Sequence, residues 1–341
     1  PNMSVEEIIK QADYYRNNGA DVIDIGCLPN QQFPHLSESI KELKNSGFYV
    51  SIDSHDDDEL ILGGKSGADY LLSINSDNFH ILDKVDSYPI LIPQNGDMNS
   101  LYGSIDKCIE MKRTFIADPI LDPINYGFTD SIMRYRELRN KYPDIHIMMG
   151  TGNVTELTHA DTTGITMILM GIISELKINH ILTTEVSNHC RSVIKENDIA
   201  RRIILAASEN NTTPKHIDPA LLTTHSSESF KYSSDEINEL AKNVKDKNYR
   251  IMLSKDGVHL FNKNGMQTMI DPYDFYESID VEGDIGHAFY LGIELARAQI
   301  AFQLGKDYEQ DEELSWGCLL DQQFDDKLAF KETRSTYKKK K

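Results

Sequence analysis

The 341 residues are 40% hydrophobic and 26% charged, enough for a large buried core plus a smaller second unit, and they carry a net charge of -19. That acidity excludes a nucleic-acid-binding surface, which needs clustered Lys and Arg against phosphates. Cys27, Cys108, Cys190 and Cys318 stand far apart with no C-x-x-C spacing, and no apolar run reaches the roughly 20 residues of a membrane span, so disulfide frameworks, cysteine-rich zinc sites and membrane insertion are excluded and a reducing cytoplasm is expected.

In chain order, a helical segment (SVEEIIKQADYYRNNGA) precedes the strand-like run DVIDIG at 21–26. Further strand-like runs follow at 48–54 (FYVSIDS), 69–75 (DYLLSIN), 88–94 (YPILIPQ), 114–120 (TFIADPI), 145–150 (IHIMMG) and 180–185 (HILTTE). Between them lie the helical stretches LSESIKELKNSG, DDELILGGKSG, MNSLYGSIDKCIEMK and DSIMRYRELRNKY, and a segment at 162–178 whose core, ITMILMGIISEL, reads as a buried helix. Repeating βα units with near-continuously apolar strands predict a parallel sheet covered by helices. Polar residues end nearly every strand and no G-x-G-x-x-G opens the first unit, which favours a (β/α)8 TIM barrel over a doubly wound sheet. Seven strands are one short of the eight a closed barrel needs, so the first is expected upstream of Pro1.

After about residue 210 the chain turns polar and Pro-broken (NNTTPKHIDPALLTTHSSESFKYSS), as a connection would be. A hairpin follows, with 249–254 and 258–262 bracketing Lys255-Asp256-Gly257. The stretch 287–305 then reads as a helix with Leu291, Leu295, Ala298 and Phe302 on one face and Gly305 as its cap. The expected organisation is a barrel at 1–210, a linker at 211–232, a small α+β domain at 233–330 and a basic disordered tail at 331–341.

The polar strand ends are Asp24, Asp53, Asn75, Asp122 and Asn153. In a barrel these converge on one mouth, where side chains distant in sequence share a pocket. Each has a plainer reading. Asp24 and Asp53 suit helix caps or loop amides, and Asn75 before Ser76-Asp77 suits an N-cap box. Asp122 before Pro123 suits a turn, and Asn153 beside Gly152 suits a loop position. His55 with Asp53 and Asp56 to Asp58 suits an acidic helix start better than a cation site, and no metal site is assigned.

GADVIDIGC, VSIDS, ADYLLSIN, ILDPINYGF and MMGTGNVTE together resemble successive strand ends of the pterin-binding TIM-barrel family, over roughly residues 1 to 207. That family includes dihydropteroate synthase and methyltetrahydrofolate:corrinoid methyltransferases; the archaeal dihydropteroate synthase-related group, which carries a C-terminal accessory module, is the nearest match. The resemblance implies that Asp122 pairs with the pterin's 2-amino and N3-H donors, as a carboxylate does with a guanidinium. It further implies that Asn75 meets the ring edge, Asp53 the pyrazine side and Asn153 the region of N5, with Asp24 at the strand end before them. Synthases of the family carry Ser-Arg-Lys and Arg-x-His segments that this chain lacks; it has Gly150-Thr151-Gly152-Asn153 and Thr183-Thr184-Glu185 followed by His189 and Arg191.

Two functions are implied. One is condensation of a dihydropterin methyl pyrophosphate with an arylamine in tetrahydromethanopterin or folate biosynthesis, with no tightly bound cofactor and Mg²⁺ accompanying the pyrophosphate. The other is a pterin-binding subunit or methyltransferase component that passes a methyl group between a methylated tetrahydropterin and a corrinoid protein. A homodimer is an expectation of the resemblance alone.

Overall fold

The protein is described from a computed structural model covering residues 2–29, 31–281 and 283–320. The basic tail expected at 331–341 lies outside them. The chain divides into two compact units, the first ending at Ile217 and the second beginning at Asp218.

The first unit is a partial (β/α)8 barrel. Seven strands, β1 (Val22–Gly26), β2 (Tyr49–Asp53), β3 (Tyr70–Ile74), β4 (Tyr88–Leu91), β5 (Ile116–Ala117), β6 (His146–Gly150) and β7 (His180–Leu182), lie side by side in sequence order. Every neighbouring pair is parallel. Each expected strand is present, because β-branched and aliphatic runs buried on both faces suit a parallel sheet. Helices α1 (Val5–Asn17), α2 (Leu36–Asn45), α3 (Asp57–Ser66), α4 (Met98–Glu110), α5 (Phe128–Lys141), the single turn α6 (Gly152–Thr155), α7 (Thr162–Glu175) and α8 (Val193–Glu209) occupy the connections.

Local chemistry fixes the helix starts. Ser4 and Glu7 form a reciprocal capping box at α1, and Asp56 accepts from the amides of Asp58 and Glu59 at α3. The acidic cluster at 56–58 is thus a helix start. One face of α7 is buried through Thr162, Thr166, Leu169, Met170 and Ile173, but Ile168 is 68% exposed, so the run expected to be wholly buried is amphipathic. Glu196 of α8 is fully buried and accepts from Thr162 (2.8 Å), Thr166 (3.1 Å) and Ser192 (2.7 Å). The sequence hides this lock, because two of its donors come from α7, about 30 residues away.

The sheet's period of two sorts side chains by face. Leu72, Ile90, Ile116 and Met148 form one apolar cluster, with Tyr70 and Leu182 packed against it. Counting two residues onward from Ile116 and Met148 reaches Asp118 and Gly150, so this face turns polar at its carboxyl end.

In the second unit, β8 (Arg250–Ser254), β9 (Gly257–Asn262) and β10 (Gly265–Met269) make an antiparallel sheet in the order β10-β9-β8. Its third strand extends the expected hairpin. The other elements are α9 (Ser234–Lys242) and α10 (Ile285–Leu304), which buries Leu291, Leu295, Ala298 and Ala301 with Leu260 and Phe275 and ends at Gly305 with φ 60°. Residues 211–232 contain no helix or strand. Their later part belongs to the second unit: the buried Lys306 ammonium donates to the carbonyls of Thr223 (2.6 Å) and Ser315 (2.7 Å) and lies 4.2 Å from the Trp316 ring centre.

Two helix glycines give opposite expectations. A Cβ on Gly64 in α3 would stand 2.7 Å from Val85 Cγ1, whereas one on Gly103 in α4 meets nothing within 4 Å. Gly64→Ala should destabilise the chain by about 1–3 kcal/mol through overpacking, and Gly103→Ala should stabilise it by about 0.4–1 kcal/mol. Urea unfolding of the two variants beside the parent reads both signs.

Candidate functional site at the carboxyl ends of the barrel strands

Register brings two of the expected carboxylates together. Asp24 of β1 pairs in register with Ser51 of β2, whose hydroxyl donates to Asp24 Oδ1 at 2.6 Å. Asp53 stands two residues beyond Ser51, on the same face, and accepts from the Ser73 hydroxyl at 2.8 Å. Burial pushes the Asp24 carboxyl up to about 7; the Ser51 bond opposes that rise and the neighbouring Asp53 charge adds to it. Neither carboxylate caps a helix.

Asn75 is bound into its own turn. Its Oδ1 accepts from the Asp77 amide at 2.9 Å, and its amide donates to Asn78 Oδ1 at 2.8 Å, while Asn78 donates to the Ser73 carbonyl at 3.2 Å. This is the local turn chemistry an Asn favours. Asn153 is exposed on α6, and its amide donates to the Leu121 carbonyl at 2.8 Å, which ties the end of β6 to the loop after β5.

Asp122 accepts from Arg134 at 2.8 Å, and Arg134 also donates to the carbonyls of Pro119 (3.2 Å) and Ile120 (2.8 Å). Gly127 follows with φ 110°, where a Cβ would come within 2.9 Å of Asp122 Oδ2. Asp122 therefore spends an oxygen on the clamp that shapes its own loop.

The residue missed in the sequence is Asp118. It sits immediately after β5 at 6% exposure, and its Oδ1 accepts from the Tyr135 hydroxyl (2.6 Å) and the Ile120 amide (2.7 Å). Burial pushes this carboxyl up to about 6, against the opposing pull of Tyr135, the Ile120 amide and the Arg134 charge. Asp118 Oδ2 takes no hydrogen bond among the described residues and faces Gly150, whose Cβ position is 4.0 Å away. Among those residues Gln94 Oε1 is the single fully enclosed side-chain polar atom without a partner. Gln94 itself closes the loop after β4. The signal for Asp118 was its position: IADPILDP repeats Asp-Pro, and the first Asp, not the second, ends the strand. Ile120 between them holds φ 65°, which costs a β-branched residue strain of the kind that gathers at working sites.

No protein-family model matches the chain. An uncharacterized protein of Methanocaldococcus jannaschii is 30% identical over 359 residues, an alignment spanning 92% of this chain and 67% of the relative. This chain belongs to the same family as that archaeal protein. Solved structures similar to it are dihydropteroate synthases. That of Coxiella burnetii in complex with pteroic acid matches with a TM-score of 0.49 and 15% identity, covering 62% of this chain and 88% of the other. That of Anaplasma phagocytophilum with bound 6-hydroxymethylpterin-monophosphate matches at 0.46 and 18%, covering 60% and 94%.

At the far side of the mouth, Glu156 accepts from the amides of Val186 (2.8 Å) and Ser187 (2.9 Å) and from the Thr184 hydroxyl (3.1 Å), and these donors hold its carboxyl below the usual range against the cost of burial. Glu185 accepts from the Ile194 amide at 3.0 Å in the first turn of α8. His189 contacts the Thr155 carbonyl at 3.0 Å. Both are bound into loop structure.

Asp24 and Asp118 hold protons more tightly folded than an exposed Asp does. At these two groups the folded chain therefore binds more protons than the unfolded one between roughly pH 4 and 7, and the stability they contribute falls as pH rises through that window. Asp24→Asn should flatten the fall between pH 5 and 7, to be read from urea midpoints of variant and parent across that range. An unchanged slope would refute the assignment.

Proposed function

We propose that the first unit binds a pterin at the carboxyl ends of its strands, with Asp118 as the principal ring contact. What supports this is the open oxygen of a buried, strand-end carboxylate across from Gly150, where a flat ring meets no side chain. The 2-amino and N3-H donors of a pterin match a carboxylate acceptor, and burial strengthens such a pair. The resemblance of the strand-end segments to the pterin-binding family supports the same reading. Asp53 and Asp24 then line the β1 and β2 side of the ring. Asn75 and Asn153 shape the loops around it.

Of the two chemistries, the acidic mouth favours group transfer that releases no anion. A pyrophosphate would meet Asp24, Asp53 and Asp118, while Arg134 is engaged by Asp122 and two carbonyls. Among the described residues no three His, Cys, Asp or Glu side chains come together as a metal cage. Condensation with an arylamine would therefore need Mg²⁺ carried in on the phosphates, which such ions commonly do with one or two carboxylates. The favoured reading is a component that holds a reduced pterin while its one-carbon substituent moves to a separate acceptor, for which a corrinoid protein has the chemistry.

Calorimetric titration with a dihydropterin methyl pyrophosphate with and without Mg²⁺, the corresponding alcohol and a methylated tetrahydropterin decides between them. Tighter binding of the methylated reduced pterin is expected; tighter, Mg²⁺-dependent binding of the pyrophosphate would return the assignment to condensation. Asp118→Asn should weaken the preferred ligand about 10- to 100-fold, the worth of a charge-assisted hydrogen bond, while Asp122→Asn should lower stability more than affinity. The reverse ranking would restore Asp122 as the ring contact. Failure of every pterin to bind would end the proposal.

A further inference from the structure

Within the second unit a cavity of about 430 Å³ lies against β8, the edge strand of the three-stranded sheet. The strand's period of two turns Ile251 and Leu253 into the core around α10 and Met252 to the opposite face, and all three line the cavity. Phe230, packed against that core, lines it too, whereas Leu240 of α9 and Val244 line it from outside that core. A cavity that meets both faces of a sheet runs past its edge.

The backbone along this edge is only partly paired. The Ile251 amide donates to Gln310 Oε1 at 2.8 Å, and Gln310 Nε2 donates to the Tyr249 carbonyl at 3.3 Å. A side-chain amide thus makes the two bonds that one residue of a neighbouring parallel strand would make. The next such pair along the edge is the Ile251 carbonyl and the Leu253 amide, which by the same alternation point away from β9 and take no hydrogen bond among the described residues. Open edge groups of this kind are a template for another chain, and Gln310 covers only the first step.

We propose that the edge of β8 binds an extended peptide of another protein, which adds a strand there and carries apolar side chains flanked by Lys or Arg. The open backbone pair holds the peptide, and the apolar walls on the two faces of the sheet receive its alternate side chains. The volume suits a few such side chains, being within the range of small-ligand sites. Charge selects the flanks. Lys231 is paired with Asp307 and Arg250 with Asp246, each at 2.7 Å, while Glu309, Asp311 and Glu312 are exposed in the segment that borders the cavity, so carboxylates outnumber cations at its rim.

Fluorescence anisotropy of the full chain with a labelled peptide Lys-Val-Leu-Val-Leu-Lys tests this. Two versions of the peptide, N-methylated on one or the other set of alternate backbone amides, keep every side chain. The version methylated on the pairing edge should bind about tenfold more weakly than the other, the worth of about one hydrogen bond, and a version with Glu flanks should also bind more weakly than the parent peptide. Leu240→Lys, at a position 46% exposed, should weaken the parent peptide about tenfold with thermal unfolding unchanged, and Val244→Lys gives the same readout if that variant fails to fold. Equal binding of the two methylated versions, tighter binding of the Glu-flanked one, or no binding of the parent peptide would each overturn the proposal. Undiminished affinity in both lysine variants also overturns it.

Discussion

Burial on both faces leaves the barrel strands no place for an unpaired charge except the ends of the sheet, and this constraint organises the first unit. Where a carboxylate does enter, it comes with a donor: Ser51 for Asp24, Ser73 for Asp53, Tyr135 and the Ile120 amide for Asp118. Asp24 shows the cost of doing so most directly, since a single hydroxyl donor beside a second carboxylate leaves its carboxyl near 7.

The loop after β5 illustrates how one cation shapes a site without entering it. Arg134 from α5 reaches back to the carbonyls of Pro119 and Ile120 and to Asp122, and this three-way clamp holds Ile120 in a left-handed conformation. Asp122 spends Oδ2 on this clamp, as Asp118 spends Oδ1 on the Tyr135 hydroxyl and the Ile120 amide. Asn153 adds a second tie to the same loop through the Leu121 carbonyl. Asp122 and Asn153 are thus both tied into the structure of the loop that follows Asp118.

The second unit solves a different problem with the same rules. Its three-stranded sheet is small, and it gains a core by laying α10 across the hydrophobic residues of β8 and β9. Buried polar groups are again matched: Glu294 receives Arg297, the Tyr308 hydroxyl and the Asp311 amide, and His259 lies between the hydroxyls of Ser254 and Thr268. The inner face of α10 thereby packs into the core of the second unit.

The sequence by itself determined most of the elements, though not α8, α9 or β10. All seven barrel strands, the helices between them, the Asp56 helix start, the first hairpin and the Gly305 cap follow from periodicity, capping and turn chemistry, which act over a few residues. It also determined that polar side chains gather at strand ends, because apolar runs must stop somewhere. Tertiary structure decided how those side chains are hydrogen-bonded. The bond to Asp122 rests on an arginine from α5, and those of Asn75 and Glu185 rest on backbone amides that only the folded turns present. The lock at Glu196 needs hydroxyls from 30 and 34 residues away in the chain. Partners that distant leave no local pattern, since a hydrogen bond is satisfied by proximity in space and composition alone does not encode which donor arrives.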